Sequence, residues 1–472
     1  MPSVTSLKAG VGQVIQATLD FNQRDLGHGA SETVLHPLVA LGCLIAIVVM
    51  LRGPRKYSVV PLCLCIFLVP RGQEILLLGA HFYVRIILIL AGFVNVVRDR
   101  FKIAGGLNTI DKLVIVWASY RVFAAMVTNW PSGAMEQLAF LLQVLCGYFL
   151  FRNAIRKVDD IALTTKTLAV IAMVLGLCML YEHHFRENPF GVLLGGAPTV
   201  PEIRNGTARA QASFGHAILA GCFGATLIPL FTWLWKRGDK SIAAVGIIGS
   251  TLMVLAANSA TPLLAYAAGI LGLLIWPVRR KMKAVRWGIG IILVLLAMVM
   301  NAPVWFVIAH INLVGGGGYD RAFLIDTCVR HFKEWWLIGT NQNGNWGYDM
   351  WDMSDQFVAE AETGGILTLV CFVAIITKCF ERLGAMRRQA GQGQQWLLWC
   401  LGSVMLAHMF AYFGVAYWDQ TQMWWLAFLA MISAAVATPV TARVENNVIV
   451  CSMAFALQEP KETAQTWWQC PR

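Results

Sequence analysis

Three carboxylates are spaced to share a helix face. In the run Asp352 to Glu362, positions 352, 355 and 362 fall at offsets 0, 3 and 10, which an uninterrupted helix stacks on one side. Carboxylates gathered at a membrane boundary repel one another, and a pKa raised in this way suits a general base. The plain alternative is a helix N-terminus stabilised by acidic residues in its first turn. Both readings are open at this stage, as is oxygen-only metal binding by the same group. Arginines supply the opposite charge. In Tyr319 to Trp336, the residues Ile325, Cys328, Val329, Phe332 and Trp336 recur at helical spacing, the pattern of an amphipathic helix lying on a membrane face. Arg321 projects from the apolar side, where a cation must find an anionic partner. Arg330 falls on the other side, four residues after Asp326, as a surface pair.

A second stretch reads Arg204-Asn-Gly-Thr-Ala-Arg209-Ala-Gln-Ala-Ser213-Phe-Gly-His216 and then enters an apolar run. Two arginines ahead of a helix whose first N–H groups point outward make an anion site. His216, in the first turn, reads either as interface packing or as a substrate contact. Arg85 and His81 are separated by four residues inside the apolar run 75–97, so a helix there carries both on one face. A charge at the bilayer centre costs about 2.5–3.5 kcal/mol on insertion scales, so Arg85 near mid-span must line a cavity or find a partner. Arg121 in the run 110–128 is a weaker case of the same kind.

Other motifs carry less. Gly315 to Gly318 has no preceding strand and no following Lys-Ser/Thr, so it reads as a hinge and not a phosphate cradle. Glu182-His183-His184 resembles a metal cluster, but adjacent histidines on a helix point in different directions. No metal site is expected. Most of the twelve cysteines lie inside apolar runs as small buried hydrophobes, without metal spacing.

The elements that must position these groups are membrane spans. Of 472 residues, 57% are apolar and only 13% charged, and the mean hydropathy is +0.61; an ordinary soluble domain carries about 25% charge. That balance excludes a secreted disulfide scaffold, a cytosolic enzyme and a disordered regulator. Apolar runs near spanning length occupy 34–51, 75–97, 110–128, 134–151, 161–183, 213–235, 241–257, 260–276, 284–309, 362–381, 396–415 and 420–438. A shorter run, 57–70, is closed by Pro61 and Pro70 and reads as a dip or a thirteenth span. The expected fold is an all-α polytopic helical membrane bundle of 12–13 spans over 34–438. A polar segment 1–33, without a cleavable signal, precedes it, and a cytoplasmic, disordered tail 439–472 follows. The net charge of +11 concentrates in alternate short loops: six of them hold 22 of the 37 Lys and Arg. The positive-inside rule places those in the cytoplasm and assigns the charge to membrane orientation, not to nucleic acid. Loops 184–212 and 310–361 then share the outer face; the latter has three Lys/Arg against seven Asp/Glu. The side of residues 1–33 depends on whether 57–70 spans. No internal repeat is visible, which disfavours a transporter built on inverted repeats.

Taken together, the segment Arg209 to His216 before an apolar run resembles the segment ahead of a mid-chain helix in bacterial O-antigen ligases and polymerases. Tyr319-Asp320-Arg321, Ile325-Asp326, Trp335 to Thr340, Asp352 to Val358 and Gly364-Gly365 before a span are similar to that superfamily's long periplasmic loop. The resemblance covers about 204–381. It implies a helical inner-membrane glycosyltransferase without a cofactor, acting at the periplasmic face. The donor would be an undecaprenyl-diphosphate-linked glycan and the acceptor a hydroxyl of lipid A core or of a growing glycan, with inversion; other polysaccharide-assembly proteins are partners of such a chain. The arginines carried over are Arg209 and Arg321. The family's His-Asn-x-aromatic motif is occupied by Ser354-Asp355-Gln356-Phe357, leaving Ser354 where the histidine stands, so Asp352 or Asp355 takes the base's role or the activity has diverged. The expected site is therefore Asp352, Asp355 and Arg321 for chemistry, and Arg85, Arg204, Arg209 and His216 for substrate. The competing readings are a lipid-linked glycan flippase and a non-catalytic subunit of a polysaccharide-secretion system.

Overall fold

A computed structural model describes residues 33–77, 80–310, 317–347, 350 and 354–437. Asp352, Gly315, Gly316, the segment 1–32 and the tail 439–472 lie outside the described residues. The chain is mostly helical. In order it runs α1 (Pro37–Arg52), α2 (Val59–Leu68), a hairpin of β1 (Glu74–Leu77) and β2 (Ala80–Tyr83), then α3 (Val84–Arg98), α4 (Thr109–Thr128), α5 (Ser132–Ala154) and α6 (Val158–Phe185). After a short α7 (Pro189–Leu194) comes a second hairpin, β3 (Glu202–Arg204) and β4 (Thr207–Arg209), followed by α8 (Ala217–Arg237), α9 (Lys240–Ala256), α10 (Ala260–Leu274) and α11 (Met282–Val299). The last part holds α12 (Gly318–Arg330), α13 (Phe332–Trp335), α14 (Gln356–Gln389), α15 (Gln392–Tyr412) and α16 (Asp419–Ala437).

Among the described residues, six helical segments are long and apolar enough to cross a membrane: Ser132–Ala154, Val158–Phe185, Ala217–Arg237, Trp276–Val299, Gln356–Gln389 and Asp419–Ala437. Shorter apolar helices are Pro37–Arg52, Lys240–Ala256 and Ala260–Leu274. The expected span over 75–97 is corrected. Its first part pairs Glu74 with Tyr83 and Ile75 with Phe82 as antiparallel strands, and only 84–98 is helical. Hydropathy does not separate the two forms, because a short apolar run can be either.

Helices α8 and α16 are buried along nearly their whole length and form the centre, with α9, α10 and α15 packed on α8. Small residues set the closest crossings. A Cβ on Gly176 of α6 would stand 2.4 Å from the Gly249 carbonyl oxygen of α9, so the two backbones approach as small residues in membrane helices allow. In contrast, α11 buries none of its residues.

The two ends of the bundle differ in chemistry. At one, the basic loops are cross-linked to each other: Arg55 with Asp160 (3.4 Å), Arg156 with Asp99 (2.8 Å), Lys166 with Asp239 (2.6 Å) and Arg237 with Asp159 (2.8 Å). Arg98 donates to the Leu51 carbonyl and Arg387 to that of Arg279. Deeper in, Arg152 and Asp111 are both wholly buried 3.0 Å apart, with Tyr148 Oη donating to Asp111. At the other end the long loops are tied to helix termini. Gln73 Nε2 donates to the Leu194 and Gly195 carbonyls, Ser213 Oγ to the Phe67 carbonyl, Tyr120 Oη to the Leu337 carbonyl and Asn341 Nδ2 to the Thr128 carbonyl. The two hydrophilic segments after α6 and after α11 therefore belong to one end, and the interlinked basic loops to the other.

Candidate site at the outer loops

Helix α12 starts at a glycine and buries Ala322, Leu324, Asp326, Thr327 and Cys328. The loop that follows supplies its own small core: Leu324, Cys328, Trp335, Trp346, Met350, Val358 and Ala361. This corrects the expected apolar face, since Val329, Phe332 and Trp336 are exposed. The buried stripe lies one step round the helix, against Val358 and Ala361, because those residues offer it a partner. The expected pair forms, with Arg330 Nε 2.6 Å from Asp326 Oδ2, but only Arg330 is at the surface; Asp326 is buried.

Arg321 points inward as expected. Its Nη2 donates to the Gly414 carbonyl at 3.3 Å, while its Nε is buried without a hydrogen-bond partner. Among the described residues it forms no ion pair. Burial lowers its pKa, Arg204 lowers it further by like-charge repulsion, and Asp320 and Asp355 oppose that. It borders an apolar cavity of about 160 Å³ lined by Thr261, Leu264, Ile308, Phe410 and Phe413. A guanidinium held this way, without a carboxylate, is poised for an anion from outside.

Asp355 is the N-cap of α14. Its Oδ1 accepts from the backbone N–H groups of Phe357 (2.8 Å) and Val358 (3.0 Å), so the helix-start reading of this residue is met. Its Oδ2 is buried and has no partner. Burial pushes the carboxyl up to about 7, against the backbone bonds and Arg321, which pull it down. One oxygen thus holds the helix and the other is free to take a proton. Glu362, seven residues and so almost two full helical turns after Asp355, is also buried and lies within electrostatic reach of it. Its Oε2 accepts from Asn343 Nδ2 at 3.1 Å, and Oε1 has no partner.

The backbone under this pair is broken on purpose of packing. Gly364 and Gly365 leave helical geometry inside α14, with Gly365 at φ +71°. A Cβ there would stand 2.8 Å from the Leu337 carbonyl, and one on Gly339 (φ +82°) would stand 2.2 Å from the Glu362 carbonyl oxygen. Across this contact Thr340 N donates to Glu362 O at 2.8 Å and Ile366 N to Trp336 O at 2.9 Å. Only glycine allows the approach and the positive φ together.

The β3–β4 hairpin carries the second arginine pair. Arg209 is buried and its Nη1 contacts both oxygens of Glu202 at 2.7 and 2.8 Å, across the strand register that pairs the two residues. Its Nε and Nη2 are buried without partners. His216 caps α8 by accepting from Ile218 N through Nδ1 at 3.1 Å, and its Nε2 is 3.9 Å from Glu202 Oε2. Burial and Arg209 lower its pKa. Arg204 is exposed near the turn and within electrostatic range of Arg321. Below the hairpin, buried Glu182 accepts from Gln211 N and Ala212 N and fixes the chain as it enters α8.

Arg85 sits elsewhere from its expected mid-span place. It is the second residue of α3, because the strand β2 precedes it, and residue 81 is in that strand and not a turn earlier on a helix. Arg85 pairs with buried Asp419, the first residue of α16. Arg71 Nε reaches the same carboxylate at 3.6 Å. This group adjoins the 209–216 segment: Gln420 Nε2 donates to the Ser213 carbonyl at 2.8 Å, and a Cβ on Gly215 would collide with Trp418 and approach Arg71. Arg121 also has a carboxylate: its Nη1 lies 3.2 Å from Glu360, which accepts from Trp117 and Gln356 as well.

The structure places Arg204 and Asp355 within electrostatic range of Arg321 and Glu362 within that of Asp355, and links Arg209 to His216 through Glu202. It gives Arg85 a separate partner. Sequence reasoning missed Arg71, Glu202 and Asp419. The signal for Asp419 was legible, a carboxylate in the short polar break between the apolar runs 396–415 and 420–438. Among the described residues no group of three or more His, Cys, Asp or Glu is placed to hold a metal. A scan against protein-family models and a search of curated proteins each find no match to this chain.

Proposed function

We propose that the chain is a polytopic glycosyltransferase of the O-antigen ligase or polymerase kind, with 12–13 spans in the bacterial inner membrane and its site on the periplasmic face. The observation that carries this reading is Arg321, a half-buried guanidinium without a carboxylate partner among the described residues, bordering an apolar cavity and within electrostatic range of a carboxyl with one free oxygen. A lipid-linked diphosphate needs cations for its oxygens and an apolar path for its chain; an acceptor hydroxyl needs a base. Arg321 and Arg204 hold the diphosphate, and the free nitrogens of Arg209 extend the cationic surface toward it. Asp355 Oδ2 takes the acceptor's proton, with Asp352 the alternative base.

In the step, the acceptor oxygen bonds to the anomeric carbon as the bond from that carbon to the phosphate oxygen breaks. The electron pair leaves with the diphosphate, the proton goes to Asp355 and the configuration inverts. Charge growing on the leaving phosphate is what fixed guanidinium groups stabilise best. The step uses no cofactor. The acceptor is lipid A core in a ligase and a growing glycan in a polymerase.

The test is transfer by the purified full-length chain supplied with a lipid-diphosphate glycan and acceptor. A new glycosidic bond with release of lipid diphosphate, lost in Arg321→Ala, is the expected result. Movement of the intact lipid-linked glycan across the bilayer without bond formation would make the chain a flippase and overturn the proposal. Absence of both activities in the folded protein would leave a non-catalytic subunit and overturn it too.

A further inference from the structure

A second cationic group stands apart from Arg321. Arg71, Arg85 and Asp419 meet where α2, α3 and α16 converge, with side-chain exposures of 27%, 13% and 1%. Both guanidinium planes are fixed by aromatic rings: Arg71 lies 4.4 Å from the Trp418 ring centre and Arg85 4.5 Å from that of Tyr83, a cation–π arrangement. Two cations share one carboxylate, so one positive charge is left over within the trio. Arg85 Nε is buried without a hydrogen-bond partner among the described residues, and Arg71 Nε reaches the Asp419 carboxylate only at 3.6 Å. Asp419 is held at φ +59° at the first position of α16, where the helix dipole also favours a negative charge. The chain's own carboxylate occupies a seat built for an anion.

Gln420 adds an acceptor. It is 1% exposed, and its Nε2 is committed to the Ser213 and Val69 carbonyls at 2.8 and 3.5 Å. Those bonds fix the amide the other way round, leaving Oε1 buried and without a donor. Gln420 lines a small cavity together with Arg71, Arg85, Tyr83, Gln73, Ile66 and neighbouring residues. Its volume is about 10 Å³, room for one water. A larger anion reaches the two guanidinium groups by displacing the Asp419 carboxylate that they already hold. The complement of this arrangement is a phosphate next to a free hydroxyl: oxygens for the two guanidinium groups and an O–H for Gln420 Oε1.

We propose that Arg71, Arg85 and Gln420 form a second phosphate site, separate from the Arg321 site, for a phosphate ester of a polyol, and that Asp419 is its built-in competitor. The ester is either a membrane headgroup of the phosphatidylglycerol type or a soluble glycerol phosphate. The proposal does not depend on the transfer reading.

The full-length protein in phosphatidylcholine nanodiscs is titrated with phosphatidylglycerol, and bound lipid is counted by mass spectrometry; sn-glycerol 3-phosphate and inorganic phosphate are added as competitors. Asp419→Asn, which removes the competing charge, is expected to bind at least threefold more tightly than the wild type. Asp419→Asn combined with Arg71→Gln or with Arg85→Gln keeps one cation in the trio, as its net charge is in the wild type. Each double variant is expected to bind at least tenfold more weakly than Asp419→Asn. Phosphatidylglycerol binding that millimolar glycerol phosphate does not displace assigns the lipid headgroup; displacement assigns the soluble ester. Equal binding by wild type and Asp419→Asn, weaker binding by Asp419→Asn, or equal binding by the single and double variants overturns the proposal. Arg321→Ala is expected to lose transfer and keep this binding, so failure of one site is distinguishable from failure of the other.

Discussion

At the residue scale, Asp355 caps α14 with one oxygen and in the proposed transfer uses the other as the base, and substitution can separate the two. Asparagine caps a helix as well as aspartate does, so Asp355→Asn keeps α14 and removes the base. Transfer is expected to fall by about 10²–10⁴-fold, the usual contribution of general-base catalysis. The wild-type rate should rise as pH passes through about 7 and level off above it, because the base must be ionised and its carboxyl is pushed up to about 7; the variant should lack that limb. Stability changes in the other direction. Between the ordinary value of 3.8 and about 7, the folded protein keeps a proton that the unfolded chain has released. Stability from this group is thus full below 3.8 and is lost as pH rises through about 7. Melting temperatures of wild type and Asp355→Asn across that range check the sign: the variant should gain on the wild type as pH rises. A second residue-scale outcome concerns Glu360. Its removal leaves Arg121 buried at 12% side-chain exposure without its carboxylate, and Glu360→Ala is expected to cost about 3–5 kcal/mol of stability, read as a loss of melting temperature in detergent.

At the element scale, the Gly364–Gly365 break and Gly339 let a loop backbone lie directly on α14, and this contact holds the strand of chain leading from α13 against the carboxylates. Gly339→Ala is expected to cost about 2 kcal/mol or more, from its positive φ and from a collision with the Glu362 carbonyl. Gly344→Ala, which meets nothing within 4 Å, should leave the melting temperature unchanged. Some of this was legible in the sequence and some was not. The inward aim of Arg321, the Arg330–Asp326 pair and the clustering of Asp355 with Glu362 follow from spacing along one helix, which the chain order specifies directly. The hairpin at 74–83 did not follow, because an apolar run of that length satisfies a strand as well as a span. The buried face of α12 was displaced for a similar reason: its stripe is chosen by Trp346, Val358 and Ala361, which arrive from later in the chain. Partners such as Glu202 for Arg209 and Asp419 for Arg85 are matters of tertiary contact, and local periodicity does not reveal them. Asp352 lies outside the described residues, so its place on the shared face is not among these outcomes.

At the scale of the whole molecule, charge sorts the two ends. Basic loops tie to one another by ion pairs at one end, and the two long hydrophilic segments meet helix termini at the other. The transfer reading requires both of those segments on one side of the membrane. The direct test is labelling of single cysteines introduced at Gly206, Gly344 and Gly391 with a membrane-impermeant maleimide, in cells whose outer membrane has been opened and whose inner membrane is intact. Positions 206 and 344 are expected to label together at once, and position 391 only after the inner membrane is breached. Labelling of 206 and 344 from opposite sides would contradict the account.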